Sequence, residues 1–154
     1  MDILELIRTQ SGEERSGEGE PFVAFADWEP SQLTALEGLG NLETLQTGQT
    51  VIEAGTHGNR DLFIVVSGEL EVYRRAGGGE QRVALVGPGS LLGEMAFVDG
   101  GPRSASVRAL SVSRALRVRP QDLDALRQRN PAVAVLFMKE IARILSFRLR
   151  RSSR

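Results

Sequence analysis

From Leu42 to Arg119 the apolar positions fall in short runs, most of them closed by glycine. Thr50-Val51-Ile52 lies between Gly48 and Ala54-Gly55, and Leu62-Phe63-Ile64-Val65-Val66 is continuously apolar until Ser67-Gly68. Glu69-Leu70-Glu71-Val72-Tyr73 alternates with a period of two, the pattern of a strand with one face on a core and one in water. Gly77-Gly78-Gly79 leads into Gln81-Arg82-Val83-Ala84-Leu85-Val86, and Gly87-Pro88-Gly89 turns the chain again. Ser104 to Ala109 and Ala115-Leu116-Arg117-Val118-Arg119 complete the series. Short strands at this spacing, separated by turn residues, predict an all-β sandwich or barrel.

The period is helical on both flanks. Met1 to Arg8 reads as a short amphipathic turn or helix, and Thr9 to Glu20 as a polar, mobile linker rich in Gly, Ser and Glu. Asp27-Trp28-Glu29-Pro30 is a helix start, with Leu33, Leu36 and Leu39 as its apolar stripe and Trp28 as a packing anchor. After Arg119, Pro120-Gln121-Asp122 opens a helix with Leu123 and Leu126 facing inward, and Asn130-Pro131 interrupts it. A long helix then runs to about residue 150 through Val133, Leu136, Phe137, Ile141, Ile144 and Leu145. Ala134, Met138 and Leu149 widen its stripe beyond what one packing surface needs.

Composition narrows the function classes. The 154 residues fit one domain, and 41% hydrophobic content is enough for a core. With 19 basic and 20 acidic residues the net charge is −1, which argues against a general nucleic-acid or membrane-surface binder. All but one of the basic residues are arginine, so a lone arginine carries little information in this chain. The chain has no cysteine, hence no disulfide framework or thiol chemistry, and its single histidine, His57, is too little for a His-based metal site. No apolar run approaches about 18 residues and the N-terminus lacks a signal-peptide layout, so a soluble, cytoplasmic protein is expected. No catalytic constellation is visible, and the chain is expected not to be an enzyme. Gly77-Gly78-Gly79 is not a P-loop, because no Gly-Lys-Ser/Thr follows it.

The segment from Gly93 to Val107 carries the chemistry: Gly93-Glu94-Met95-Ala96-Phe97-Val98-Asp99-Gly100-Gly101-Pro102-Arg103-Ser104-Ala105-Ser106-Val107. Its glycines and proline allow a tight fold, and free N–H groups at a short helix start attract anions. Arg103 adds a planar fork suited to phosphate, in a pocket expected to be solvated when empty. Glu94 would repel a phosphate but can accept a hydrogen bond from a neighbouring sugar hydroxyl. An anion receptor beside a hydroxyl acceptor describes a sugar-phosphate site. The bland alternative for Glu94 and Arg103 is a structural salt bridge on a loop.

These residues resemble the phosphate-binding cassette of cyclic nucleotide-binding domains. That family's pattern is Gly-Glu, an apolar residue, Ala, a short loop, then Arg-(Ala/Ser/Thr)-Ala and an apolar strand. The match is Gly93-Glu94-Met95-Ala96 and Arg103-Ser104-Ala105-Ser106-Val107, with nine positions from Glu94 to Arg103 as in protein kinase regulatory subunits. Leu92 stands where Phe is usual. The resemblance extends from about Phe25 to Arg150. It implies a mainly β fold with flanking helices: an eight-stranded, jelly-roll-like β-roll (a double-stranded β-helix), an N-terminal helical segment, and C-terminal B and C helices. The implied division is a mobile segment over 1–20 and a domain over 21–154, with N-terminal helices at about 25–40, the roll at about 42–119 and the B and C helices at about 120–152.

The resemblance also implies a ligand, cAMP or cGMP, and a site of Gly93, Glu94, Met95, Ala96, Arg103, Ser104 and Ala105. Arg103 would hold the cyclic phosphate, Glu94 the ribose 2′-hydroxyl, Ser104 a phosphate oxygen or the purine edge, and Ala96 the phosphate through its N–H. Met95 and Val86 are candidates for lining a base pocket or for plain core. Arg148 falls near the position where the catabolite activator family has a purine-contacting hydroxyl residue, and it belongs to a basic cluster with Arg150, Arg151 and Arg154 that suits the negative end of the last helix. The implied job is a regulatory sensor that acts through its C-terminal helix. With no length after that helix for a helix-turn-helix, the expected output is an effector protein, a homodimer through the helix, or a larger polypeptide. The rival readings are a β-roll interaction module without ligand and a cupin-like metalloenzyme.

Overall fold

The protein is described by a computed structural model covering residues 24–36 and 38–152; the expected N-terminal turn and linker lie outside these. Among the described residues eight strands form two four-stranded antiparallel sheets. They are β1 (Asn41–Leu45), β2 (Thr50–Ile52), β3 (Leu62–Ser67), β4 (Leu70–Ala76), β5 (Gly79–Val86), β6 (Leu91–Leu92), β7 (Ser106–Ala109) and β8 (Ser113–Val118). One sheet has the order β1-β8-β3-β6, the other β2-β7-β4-β5. The expected mainly β fold with eight strands is what the chain forms.

Two apolar cores explain the sequence pattern. Between the sheets lie Leu45, Ile52, Phe63, Val65, Leu70, Val86, Leu92, Val107, Ala109 and Ala115. On the outer face of the first sheet, Leu62, Ile64, Val66, Leu116 and Val118 pack against the helices. Strand β3 is therefore buried on both faces, which is why residues 62–66 are apolar without alternation. Strand β4 belongs to the sheet without a helical cover, and its solvent-facing positions are polar.

Among the described residues the first helix, α1 (Pro30–Ala35), lies within the stretch of about 25–40 expected to hold N-terminal helices and ends before Leu36 and Leu39 of the expected stripe. Gln32 Oε1 accepts the Glu29 N–H at 2.9 Å and closes a capping box. Gly38 and Gly40 have positive φ and turn the chain away, so Leu36 and Leu39 reach the core from a turn rather than from the helix. Trp28 is an anchor as expected: it meets the Phe25 ring edge-on at 5.0 Å, and Phe25 stacks on Phe137 at 5.8 Å.

Three further helices follow: α2 (Glu94–Asp99), α3 (Pro120–Arg129) and α4 (Pro131–Ser152). Asn130 separates α3 from α4, and its Oδ1 caps α4 by accepting the Val133 N–H at 3.2 Å. Helix α4 buries Val133, Ala134, Phe137, Ile141 and Ile144 against the first sheet. Within that stripe Glu140 is buried too, and its Oε1 accepts the Phe25 N–H at 3.2 Å and an Arg143 Nη2 bond at 3.3 Å. Among the described residues no helix is long and apolar enough to cross a membrane.

Candidate functional site

Strand β6 delivers the chain to Gly93, where the backbone reverses with φ of +78° before α2 begins. A side chain cannot stand there. A Cβ would strike the Arg103 guanidinium and lie 2.9 Å from the Asp61 carbonyl oxygen. Helix α2 ends at Gly100, whose N–H donates to Ala96 O at 2.9 Å, and Asp99 Oδ1 then accepts the Gly101 N–H at 2.8 Å. Arg60 caps the other side of this end: Nε reaches Ala96 O and Nη2 reaches Phe97 O, each at 3.3 Å. Strand β7 starts at Ser106 rather than at Ser104, because Arg103 is pinned outside the sheet. Its N–H donates to Thr56 O at 3.1 Å and its carbonyl accepts the Gly55 N–H at 2.9 Å.

The Arg103 side chain is 5% exposed, so the solvated pocket expected from sequence is not what surrounds it. Nη1 donates to Gly93 O at 3.0 Å, and Nη2 to Asp61 O at 2.7 Å and to Asn59 Oδ1 at 3.3 Å. All three acceptors are neutral. The Asp61 carboxylate is turned to Arg117 Nε at 2.5 Å, and Arg117 also reaches Glu43 at 3.3 Å. Burial pulls the Arg103 pKa down, while the nearby Asp61 and Glu94 charges push it back up. Arginine remains charged under any such shift. The result is a buried cation with oriented N–H groups and, among the described residues, no carboxylate bonded to it.

Glu94 is 9% exposed at the start of α2, and its partner is not Arg103. Arg148 Nη1 lies 2.6 Å from Glu94 Oε1, and Arg148 Nη2 donates to Leu91 O at 2.8 Å. The alternative reading, a loop salt bridge between Glu94 and Arg103, is not formed among the described residues, and Arg148 spans from α4 to the Gly93–Val107 segment instead of merely complementing the helix end. Ala96 is buried, Ser104 is exposed, and Ala105 is intermediate. Met95 is 49% exposed, and Val86, at 4%, belongs to the core between the sheets rather than to a pocket wall. His57 sits exposed in its turn. Among the described residues no group of three or more His, Cys, Asp or Glu is placed to hold a metal ion.

Sequence reasoning missed the floor of this site. Asn59 and Asp61 contact Arg103, yet they sit in a turn cluster that reads as solvent-facing. Asp61 contributes a backbone carbonyl, which any residue type would supply. Ser106, whose Oγ accepts the Ala54 N–H at 2.9 Å, ties the same loop to β7.

The Cyclic nucleotide-binding domain family model matches residues 42–130, which include every residue just described except Arg148. The chain belongs to that family. A CRP-like cAMP-activated global transcriptional regulator of Mycobacterium tuberculosis is 33% identical over 133 residues, covering 84% of this chain and 56% of that protein. Among solved structures, the Thermus thermophilus Catabolite Activator Protein superposes with a TM-score of 0.71 and 34% identity, over 84% of this chain and 59% of that one. The N-terminal domain of a transcriptional regulator from Streptomyces coelicolor A3(2) gives 0.69 and 32%, over 84% and 89%. The chain spans about half the length of the first curated relative. The two sheets are the β-roll of such a domain, and α3 and α4 occupy the places of its B and C helices.

Proposed function

We propose that this domain binds a cyclic nucleotide, cAMP or cGMP, at Arg103 and Glu94 and reports occupancy through α4 as a regulatory sensor in the cytosol. The observation that carries the reading is the buried Arg103 guanidinium, held among the described residues by neutral oxygens alone. A buried charge is costly unless an opposite charge meets it. A cyclic phosphate monoanion supplies that charge and matches the planar fork. Glu94 then accepts from the ribose, and exposed Ser104 stands ready to donate to a phosphate oxygen. In this role the domain performs no catalytic step and makes no nucleic-acid or membrane contact.

Calorimetric titration of the purified chain with cAMP and cGMP in parallel tests this. Saturable binding of at least one is expected, with linear AMP far weaker because its dianionic, freely rotating phosphate does not fit a site shaped for a ring. Absence of heat and of any melting shift with both cyclic nucleotides at millimolar concentration overturns it. One observation favours a second reading, a nucleotide-free interaction module: Arg148 already occupies an oxygen of Glu94. For the output we propose an effector protein or a homodimer. Val135 and Leu149 on α4 are 67% and 68% exposed and lie two heptads apart, a spacing that suits a second α4. A monomeric mass in light scattering at tens of micromolar, with and without nucleotide, removes the homodimer.

A further inference from the structure

Of the strands that end a sheet among the described residues, β5 is the longest: eight residues, against five in β1, three in β2 and two in β6. Its residues 79–83 are exposed, and Val83, at the bulge opposite Val72 and Tyr73, is 50% exposed. The hairpin tip decides which of its amides are free. Gly77 and Gly78, with φ of +59° and +84°, make a two-residue turn flanked by the pair Ala76–Gly79. Such a turn is closed by hydrogen bonds across its flanking pair, and the pairs of an antiparallel ladder are alternately bonded and unbonded. Gly79 and Gln81 therefore bond to β4, and the N–H and C=O groups of Glu80 and Arg82 point away from the sheet. A Cβ at Gly77, Gly78 or Gly79 would meet nothing within 4 Å, so among the described residues nothing lies over this end of the edge.

We infer that the edge of β5 is an interaction surface for a second copy of this chain, paired antiparallel about a two-fold axis at Gln81. Charges on a bare edge normally stop such pairing. On β5 they select one register. Backbone bonds across the axis need outward-pointing residues opposite each other, and before the bulge these are Glu80 and Arg82. Glu80 against Glu80, or Arg82 against Arg82, would oppose like charges. The remaining two-fold register sets Glu80 against Arg82 of the second copy, twice by symmetry. Both side chains lie on the open outer face, where Glu80 meets Arg108 at 2.8 Å and Arg82 meets Glu71 at 2.7 Å. They are still 43% and 49% exposed, so each can take a further partner. Pairing extends the row with alternating sign: Glu71, Arg82, then Glu80 and Arg108 of the second copy. The two four-stranded sheets become one continuous sheet. This surface is separate from α4 and owes nothing to the nucleotide site.

Charge reversal tests the register. Sedimentation equilibrium of the wild type at rising concentration should show a dimer that salt weakens. Glu80→Arg and Arg82→Glu each set like charges opposite one another and should raise the dissociation constant roughly ten- to thirtyfold. An equimolar mixture of the two variants should associate as tightly as the wild type, because each supplies the charge the other lacks. The melting temperature of each variant is read alongside. Where a reversal fails to fold, Glu80→Pro takes its place: it removes an outward N–H and no bond to β4, and it should weaken association too. Amide hydrogen exchange at Glu80 and Arg82 should slow as concentration rises, which separates this edge from a dimer through α4. A wild type that stays monomeric at millimolar concentration overturns the inference. So do variants that associate like the wild type, a mixture that does not recover, or exchange at these two amides that ignores concentration. None of these outcomes touches the proposed nucleotide site.

Discussion

Two buried charges in this fold are treated in opposite ways. Glu71, on the open face of β4, is 6% exposed and saturated: Oε2 takes Arg82 at 2.7 Å and Oε1 takes Arg108 at 2.6 Å. Arg108 is in turn shared with Glu80 at 2.8 Å and sits 4.3 Å above the Tyr73 ring. Arg103 is equally buried, but its bonds end on two carbonyls and an amide oxygen. A charge neutralised by its own neighbours needs nothing further and serves the sheet. A charge whose hydrogen bonds go only to neutral oxygens, with the neighbouring Asp61 and Glu94 carboxylates paired to Arg117 and Arg148, is open to an outside anion. Burial alone does not distinguish the two; the identity of the acceptors does.

The largest expected effect attacks the receptor at its narrowest point. Gly93→Ala forces a Cβ into the Arg103 guanidinium and places a non-glycine residue at φ of +78°. The strain and overlap together should cost about 2–5 kcal/mol, read as a lowered urea midpoint, and nucleotide binding should vanish with the displaced Arg103. A variant with wild-type stability and affinity breaks the view that the cassette needs this close approach.

The next effect separates the two charges by ligand. At a hundredfold excess over Kd, cAMP or cGMP should stabilise the wild type by about 2.7 kcal/mol. For a domain of this size that is a rise in Tm of roughly 5–10 °C. Arg103→Ala should remove from about half to most of that shift, with affinity reduced about ten- to a hundredfold from the loss of a charge-assisted contact. Glu71→Gln should leave the shift intact. If Glu71→Gln abolishes it as fully as Arg103→Ala does, the saturated cluster is part of the site and the comparison fails. Glu71→Gln itself should cost about 1 kcal/mol without ligand, because the carboxylate is buried while Arg82 and Arg108 stay partly in water on that open face.

The roll was legible in the sequence because glycine punctuation and the switch between alternating and continuous apolar runs follow directly from which face of each strand is buried. Strand β6 was not, since two residues carry no period. The length of α1 was misjudged because a leucine at helical spacing, Leu39, reaches the same core from a turn. At the candidate site, Glu94 and Arg103 could be named from their chemistry and Ala96 from the family resemblance, but their partners could not. Gly93 O, Asp61 O and Leu91 O are backbone atoms that leave no trace in residue type. The resemblance pointed to Arg148 but not to its partner: nothing in a basic helix end tells which side chain folds back 54 positions onto Glu94.

The smallest effect sharpens the comparison through pH. The hydrogen bond from Arg82 holds the Glu71 carboxyl below its ordinary 4.5; burial opposes this, and Arg108 adds to it. At Asp122 burial pushes upward, but the hydrogen bonds from the Arg119 side chain and backbone outweigh it and the carboxyl ends below 3.8. A group whose pKa is lower in the folded state than in the unfolded chain binds fewer protons when folded. Its stabilisation is therefore complete above the unfolded value and is lost as pH falls through the folded one. The loss should set in below about pH 4.5, and Glu71 and Asp122 should carry part of it. Urea midpoints of the ligand-free chain at descending pH would show it. Glu71→Gln should begin from a lower plateau at neutral pH and lose less on acidification than the wild type, whereas Arg103→Ala should keep the wild-type slope. Equal acid slopes in wild type and Glu71→Gln would mean that the sheet cluster, for all its pairing, contributes no more to the folded state than an exposed ion pair does.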